Sequence, residues 1–334
     1  MPELQLDTYG LDRPESGDDV VVPFTLETLD GRGRVVRLSE ALDAILTRHN
    51  YPAPVARLLG EAVVLAALIG SSLKFEGKFI LQTQTDGPVN LLVVDLDAPD
   101  GLRGYARFDA DAVQRAIESG ETRPGQMLGK GHLAMTVDQG VHMERYQGIV
   151  ALEGGSLEDV AHTYFQQSEQ VPTLVRLAVA QLSVKGERNP HWRAGGMLVQ
   201  HLPPHGIRTM PDLPGDGNFA NPDTADKEFT ESDKWAETRS LVGTIADDEL
   251  ADPDVSAERL LFRLFHETGV RVFEPMPLEE RCTCSVDRIE SMLRDNFSAE
   301  ERQEMVVNGE IEVVCEFCSS DYHFKPHEFD ETHH

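Results

Sequence analysis

Cys282-Thr283-Cys284 and Cys315-Glu316-Phe317-Cys318 hold every cysteine of the chain, and thirty residues separate the two pairs. In an extended segment, side chains two apart point to the same side, so Cys282 and Cys284 can face one ion. The CxxC pair closes two sulfurs around a metal from a tight knuckle. Together the pairs supply four thiolates, the ligand set of a closed, tetrahedral structural zinc site with no open position for water or substrate. Four thiolates complete the tetrahedron, which leaves the nearby His323 and His327 surplus to it.

The residues between the pairs read as a small module built around that site. Ser285 caps a helix whose apolar stripe is Ile289, Leu293 and Phe297, with Met292 beside it. Ser298-Ala299-Glu300-Glu301 has the form of a capping box for a second short helix. Asn308-Gly309 is a turn or helix-stop signal. Ile311 and Val313 alternate with acids, as on a half-exposed strand that delivers Cys315, and Tyr322 and Phe324 repeat the alternation beyond the knuckle. A module of about fifty-five residues has too small a core to be secure without a staple. A structural zinc contributes roughly 10–16 kcal/mol of binding free energy, so the module is expected to be folded with metal and loose without it.

Working outward, the chain has 334 residues, which suggests two domains, or two and a linker. Its 58 acids against 30 Lys and Arg give a formal net charge of −28. That balance argues against a nucleic-acid partner or an anionic membrane, because neutralising phosphates needs a basic surface. Met1-Pro2-Glu3-Leu4 leads into acids rather than a basic and then apolar leader, and the longest apolar run, Ala62 to Ile69, falls short of the ~20 residues that span a bilayer. A cytoplasmic location is expected. In a reducing compartment, four clustered cysteines read as metal ligands or redox thiols rather than structural disulfides.

Residues 1 to about 20 are polar and acidic. Val20 to Leu26 reads as a strand and Gly31-Arg32-Gly33 as a turn. Ser39 is a candidate cap for a helix carrying Leu42, Ile45 and Leu46. From Val55 to about Leu73 the segment is apolar on nearly every face, which predicts a helix buried at the centre of a domain. Strands follow at Lys74–Thr85, Val89–Leu96 and Leu102–Phe108, with turns at Asp86-Gly87-Pro88 and Pro99-Asp100-Gly101. His132–Val137 and Tyr146–Leu152 form a second strand pair. Ser156-Leu157-Glu158-Asp159 starts a helix, and Thr173–Val179 and Gly195–Gln200 are two more strands. The expected architecture is α+β: residues 1–202 as an N-terminal domain with antiparallel sheets and a buried central helix, 203–277 as a helical linker, and 278–334 as a small C-terminal zinc-binding domain. Residues 203 to 230 hold five prolines and three glycines with no apolar period, as an exposed linker does. Two amphipathic helices then follow, one with Trp235, Thr238, Leu241, Val242 and Ile245, the other with Ala257, Leu260, Leu261, Leu264 and Phe265, and Phe262 off that face. A helix pair on a linker must cover something, and the N-terminal domain is the surface at hand.

Gly129-Lys130-Gly131 lacks the GxxxxGK[ST] frame of a phosphate loop and reads as a turn. No HExxH, GxSxG or GxGxxG occurs, and nothing in the first 200 residues makes a catalytic constellation, so no enzyme is expected and no residue is assigned a catalytic or cofactor-binding role. Trp235 and Phe262 read as core residues, with client binding as the sharper alternative. Spacing alone favours an inert structural zinc over a redox-active one and leaves both open. A thiol–disulfide oxidoreductase fits less well, because such CxxC motifs usually open a helix in a βαβ context.

The cysteine module resembles the zinc domain of the heat shock protein 33 family of redox-regulated holdase chaperones. The resemblance lies in Arg281-Cys282-Thr283-Cys284-Ser285, in Glu310 to Cys318 and in Tyr322-His323-Phe324. It extends to Leu58–Phe75, Leu81–Pro88, Gly101–Phe108, Arg193–Leu202 and Leu260–Pro275, and so to nearly the whole chain. The departure is residues 203 to 230, longer and richer in Pro and Asp than the family pattern. The resemblance implies an ATP-independent chaperone, zinc-bound and inactive when reduced. Oxidants such as hypochlorite, or peroxide with heat, would join Cys282 to Cys284 and Cys315 to Cys318, release zinc and unfold the zinc domain and linker, so that unfolding client proteins bind. It further implies a homodimer in the active state and transfer of clients to ATP-dependent chaperones. The alternative is a zinc-stabilised protein-binding module without a redox switch. Oxidant-dependent suppression of client aggregation separates the two.

Overall fold

The computed structural model describes residues 15–72, 77–139, 146–183, 185–187, 189–202 and 232–329. The Pro-rich segment 203–230 and the end of the apolar helical stretch, Leu73, lie outside them. The chain divides into two compact units, Met1–Glu280 and Arg281–His334.

The first unit opens with β1 (Val20–Leu26) and β2 (Gly31–Leu38), followed by α1 (Glu40–Thr47) and α2 (Ala53–Gly70). A meander of β3 (Lys78–Thr85), β4 (Val89–Asp97) and β5 (Gly101–Phe108) leads into α3 (Ala110–Ser119) and α4 (Pro124–Leu128). Strands β6 (Lys130–Asp138) and β7 (Tyr146–Glu153) precede α5 (Leu157–Tyr164), which runs through a π-helical turn into β8 (Thr173–Leu182) and β9 (His191–His201). After the Pro-rich segment come α6 (Asp233–Val242), α7 (Asp247–Ala251), α8 (Ala257–Phe265) and the short β10 (Arg271–Val272), β11 (Met276–Pro277) and β12 (Glu279–Glu280). One sheet has the order β10-β1-β2-β9-β8, with β11 also paired to β1; the other runs β12-β5-β4-β3-β6-β7. All pairings are antiparallel except β12 with β5.

Helix α2 packs into the core that both sheets share. Val55, Leu58, Leu59, Val63, Leu65 and Leu68 are at most 1 % exposed, and they join Val36 and Leu198 of the first sheet and Leu81, Val94 and Leu133 of the second in one apolar core. By length and hydropathy α2 would cross a membrane, but 78 % of it is buried inside the unit. The all-round apolar pattern therefore reports a core helix. Pro54 in its first turn needs no amide partner there. Close approach to the sheet depends on Gly196 of β9, where a Cβ would lie 2.4 Å from Val64 Cγ1.

The first sheet is apolar on both faces. Its inner residues meet α2. Its outer residues Val22, Phe24, Val35, Met197 and Val199 lie under a cover of α6, α7 and α8, against Trp235, Val242, Leu250, Leu260, Leu261 and Phe265. Residues alternate between the two cores along each strand, as the pleat requires. The amphipathic stripes expected around Trp235 and Ala257 are the faces that make this cover. Trp235 is buried and stacks on His201 with ring centroids 5.7 Å apart, while Phe262 is 37 % exposed. Ile245 falls beyond α6 and α7 intervenes, a helix too short to show a period.

Capping follows the sequence at Ser156, Ser285 and Ser298, whose hydroxyls each accept an amide of the first turn. Ser39 does not cap α1 with its side chain. The amides of Ser39, Glu40 and Ala41 donate instead to the Asp19 carboxylate at 2.9, 3.0 and 3.2 Å. The Ser39 hydroxyl accepts from Arg193.

The second unit contains α9 (Val286–Asn296), α10 (Ala299–Glu304), β13 (Val306–Val307), β14 (Glu310–Val314) and β15 (Asp321–Phe324), closed by a 3-10 turn at Pro326–Phe329. The strands form an antiparallel sheet in that order. Asn308 and Gly309, both at positive φ, make the two-residue hairpin loop. The core is Ile289, Leu293, Ile311, Phe324 and Phe329, with Phe297, Val313, Tyr322 and Cys284 half-buried against it. Met292 stays 38 % exposed.

Candidate metal centre

Two backbone segments carry the four sulfurs. Cys282-Thr283-Cys284 lies just before the Ser285 cap, and its Thr283 carbonyl accepts from Arg288 Nη1 of α9 at 3.0 Å. Cys315 follows β14, where a tight turn begins. The Ser319 amide donates to the Cys315 carbonyl at 2.8 Å, and the Cys315 amide donates to the Ser320 carbonyl at 3.0 Å. Ser319 takes a φ of 55° to close this knuckle. Pairing of Val314 with Asp321 across β14 and β15 holds its two ends together.

The four Sγ atoms lie within 4.8 Å of one another. Cys282 and Cys284 are 3.3 Å apart, Cys282 and Cys315 3.7 Å, and Cys284 and Cys318 3.3 Å. The edge of a tetrahedral zinc–thiolate centre is ~3.8 Å, given Zn–S of about 2.3 Å, so the set fits such an ion. His323 and His327 are not among the clustered ligand atoms; His323 Nδ1 instead lies 3.4 Å from a Glu310 carboxylate oxygen.

Tyr322, which the sequence marked only as a strand residue, donates its hydroxyl to Cys284 Sγ at 3.1 Å. Cys318 Sγ lies 3.2 Å from Ser320 Oγ. These contacts divide the sulfurs. Burial pushes the Cys284 thiol up to about 12, and it raises Cys315 as well. Burial opposes ionisation of Cys318 too, but hydrogen bonds from the side chain and backbone of Ser320, together with those of Cys284 and Cys282, outweigh it and bring Cys318 down to about 7. The hydrogen bond to Cys284 carries Tyr322 up to about 12. A bound dication reverses this balance, because its charge favours every thiolate. Period-2 alternation in Asp321–Phe324 was the one sequence signal that could have placed Tyr322 on the sulfur side.

Comparison with known proteins agrees with this architecture. The family model described as Hsp33 protein matches residues 19–325. The 33 kDa chaperonin of Caulobacter vibrioides (strain NA1000 / CB15N) is 49 % identical over 318 residues, covering 94 % of this chain and 97 % of the relative. That of Pseudomonas fluorescens (strain SBW25) is 35 % identical over 308 residues, with 92 % and 90 % covered. The crystal structure of the 33 kDa chaperonin (heat shock protein 33 homolog) of Thermotoga maritima has the same fold, with a TM-score of 0.71 at 21 % identity over 93 % of this chain and 97 % of that one. With both units covered and the cysteine cluster inside the matched range, the chain belongs to the Hsp33 family.

Proposed function

We propose that this protein is a cytoplasmic, ATP-independent holdase chaperone whose activity is set by the redox state of Cys282, Cys284, Cys315 and Cys318. The observation that carries the reading is the convergence of four sulfurs within 4.8 Å in a unit with few other buried side chains. In the reduced protein these residues hold zinc as thiolates. The ion supplies the cross-link between the Cys282–Cys284 segment and the knuckle, and it keeps the sulfurs in the form that oxidants attack.

Oxidation joins Cys282 to Cys284 and Cys315 to Cys318. Each bond takes two thiolates out of the ligand set and gives two electrons to the oxidant, so a peroxide or hypochlorite is reduced once per disulfide. A module with five buried apolar side chains among its described residues then lacks its staple and unfolds. In the functional division we propose, residues 1–202 are the chaperone core, 203–277 the releasable linker and 278–334 the switch. Release of the linker helices uncovers the apolar outer face of the first sheet, the kind of surface that holds unfolding clients. The active form is a homodimer, and clients pass to ATP-dependent chaperones.

The test is to follow zinc content, free thiols and suppression of client aggregation in one sample before and after peroxide. One zinc and four thiols per inactive chain, giving way to no zinc, no thiols and active suppression, is the expected result. Equal activity in both states would leave a zinc-stabilised binding module without a switch.

A further inference from the structure

Most of the interface between the first sheet and its helical cover is apolar, but a buried polar seam runs through it. Arg37 on β2 and Arg193 on β9 are 2 % and 6 % exposed. Both point to the outer face, and Arg37 pairs across the strands with Gly195, two residues from Arg193. Their donors converge on the end of α7. Arg37 Nη1 donates to the Leu250 carbonyl at 3.0 Å and Nη2 to the Asp252 carbonyl, while Arg193 Nε donates to the Ala251 carbonyl at 3.3 Å. Three successive carbonyls at a helix C-terminus are thus met by two cations; the Asp252 carbonyl also accepts the Val255 amide at 3.3 Å. Asp18 takes two further hydrogen bonds from Arg193, at 2.6 and 2.7 Å, and lies 3.8 Å from Arg37 Nε.

Gly195 is the independent observation. A Cβ there would lie 2.0 Å from the Leu250 carbonyl oxygen, and its next contacts are also atoms of Leu250. The bare position leaves room for the α7 end to come down between the two arginines.

We propose that Arg37 and Arg193, with Gly195 between them, form a latch that grips α7 by its last carbonyls, so that the helical cover docks or leaves as one piece. The inference rests on the preceding reading, in which release of the cover accompanies chaperone activity, and it names the contact that regulates release. The peripheral fastenings are weaker candidates. Arg176–Asp247 at 2.8 Å and Lys234–Asp30 at 2.7 Å each involve an exposed side chain, where an ion pair contributes little. The buried guanidiniums differ. Lifting α7 partway strips Arg37 Nη1 and Nη2 and Arg193 Nε of their carbonyl acceptors before water reaches them, while Asp18 and Ser39 keep the rest of Arg193 paired, and an unsatisfied buried donor is costly. Partial opening is therefore penalised, and full opening, which solvates both arginines, is not.

The experiment uses the full, reduced, zinc-loaded chain. Gly195→Ala drives a methyl into the Leu250 carbonyl and leaves the arginines intact. Arg37→Lys keeps the charge near Asp18 but loses the forked donors. Amide exchange in residues 233–265 is expected to quicken at least tenfold in both variants, with α2 and β3–β6 protected as in the parent and zinc content unchanged. Parental exchange over 233–265 in both variants would overturn the latch. If Gly195→Ala loses protection throughout the first unit, Arg37→Lys decides alone. Activity is read separately, in an aggregation assay. The reduced Gly195→Ala protein is expected to suppress client aggregation. If its cover is loose and it stays inactive while the oxidised parent is active, the latch does not regulate. If the oxidised parent is inactive as well, the functional reading falls, and exchange alone judges the latch.

Discussion

The hydroxyl of Tyr322 shows how one residue conditions a sulfur site. It donates to Cys284 at 3.1 Å, a sulfur that burial presses toward the thiol. Partners of metal ligands typically change metal affinity by about 10–100-fold. Tyr322→Phe keeps the ring against the small core, so zinc affinity is expected to fall about tenfold, measured by competition with a chromophoric chelator. In the proposed zinc site, Cys315→Ser removes one of the four clustered sulfurs and is expected to abolish stoichiometric zinc. A second residue matters for pH. Burial, with help from Glu158 and Asp247 and against Arg57, pushes the half-buried Glu61 of α2 up to about 8. Below the ordinary carboxylate range it is protonated in both folded and unfolded chains. From about 4.5 to about 8 only the folded chain keeps the proton, so stability falls as pH rises through that window. Glu61→Gln removes this loss. The variant is expected to match the parent near pH 4.5 and to exceed it at alkaline pH, read from the urea midpoint of the first unit.

At the scale of elements, capping was legible where it is local and invisible where it is not. Ser156 and Ser298 sit three residues before the acid that returns the hydrogen bond, and the structure has both capping boxes. Helix α1 takes its cap from Asp19, about twenty residues upstream, which no local pattern announces. Asp19 sits at a φ of 57°, so Asp19→Gly keeps the backbone free while removing the carboxylate. A loss of ~1–2 kcal/mol is expected, seen as a lower urea midpoint for the first unit; an unchanged midpoint would mean that water serves the three amides equally well. Strands separate the same way. Runs such as Phe79–Thr83 declare themselves by alternation, whereas two-residue strands such as β10, β11 and β12 carry no period at all and exist because partners in the first unit accept them.

At the scale of the whole molecule, the two units differ in what holds them. The first has two apolar cores, one around α2 and one beneath the cover helices. Among the described residues, the second has five buried apolar side chains and the cysteine cluster. Removing metal with a strong chelator under reducing conditions is therefore expected to abolish amide protection in residues 281–329 and to leave α2 and β3–β6 protected. Loss throughout the chain, or no loss anywhere, would reject that division. The net charge of −28 sharpens the contrast, since a small core has least to set against self-repulsion.

The chain by itself determined the local features: the cysteine spacing, the apolar continuity of α2, the strand alternation, the Asn308-Gly309 turn and the amphipathic cover helices. Each depends on neighbours within a few residues, where the period of a helix or strand is set by backbone geometry. Tertiary structure decided what depends on distance in sequence. It placed Tyr322 on Cys284, Asp19 at the head of α1, and the α7 carbonyls between Arg37 and Arg193. It also made the first sheet apolar on both faces, because strands flanked by helices on each side have no solvent face to mark. Buried polar groups must find partners wherever the fold brings them, and those partners carry no sequence period to read.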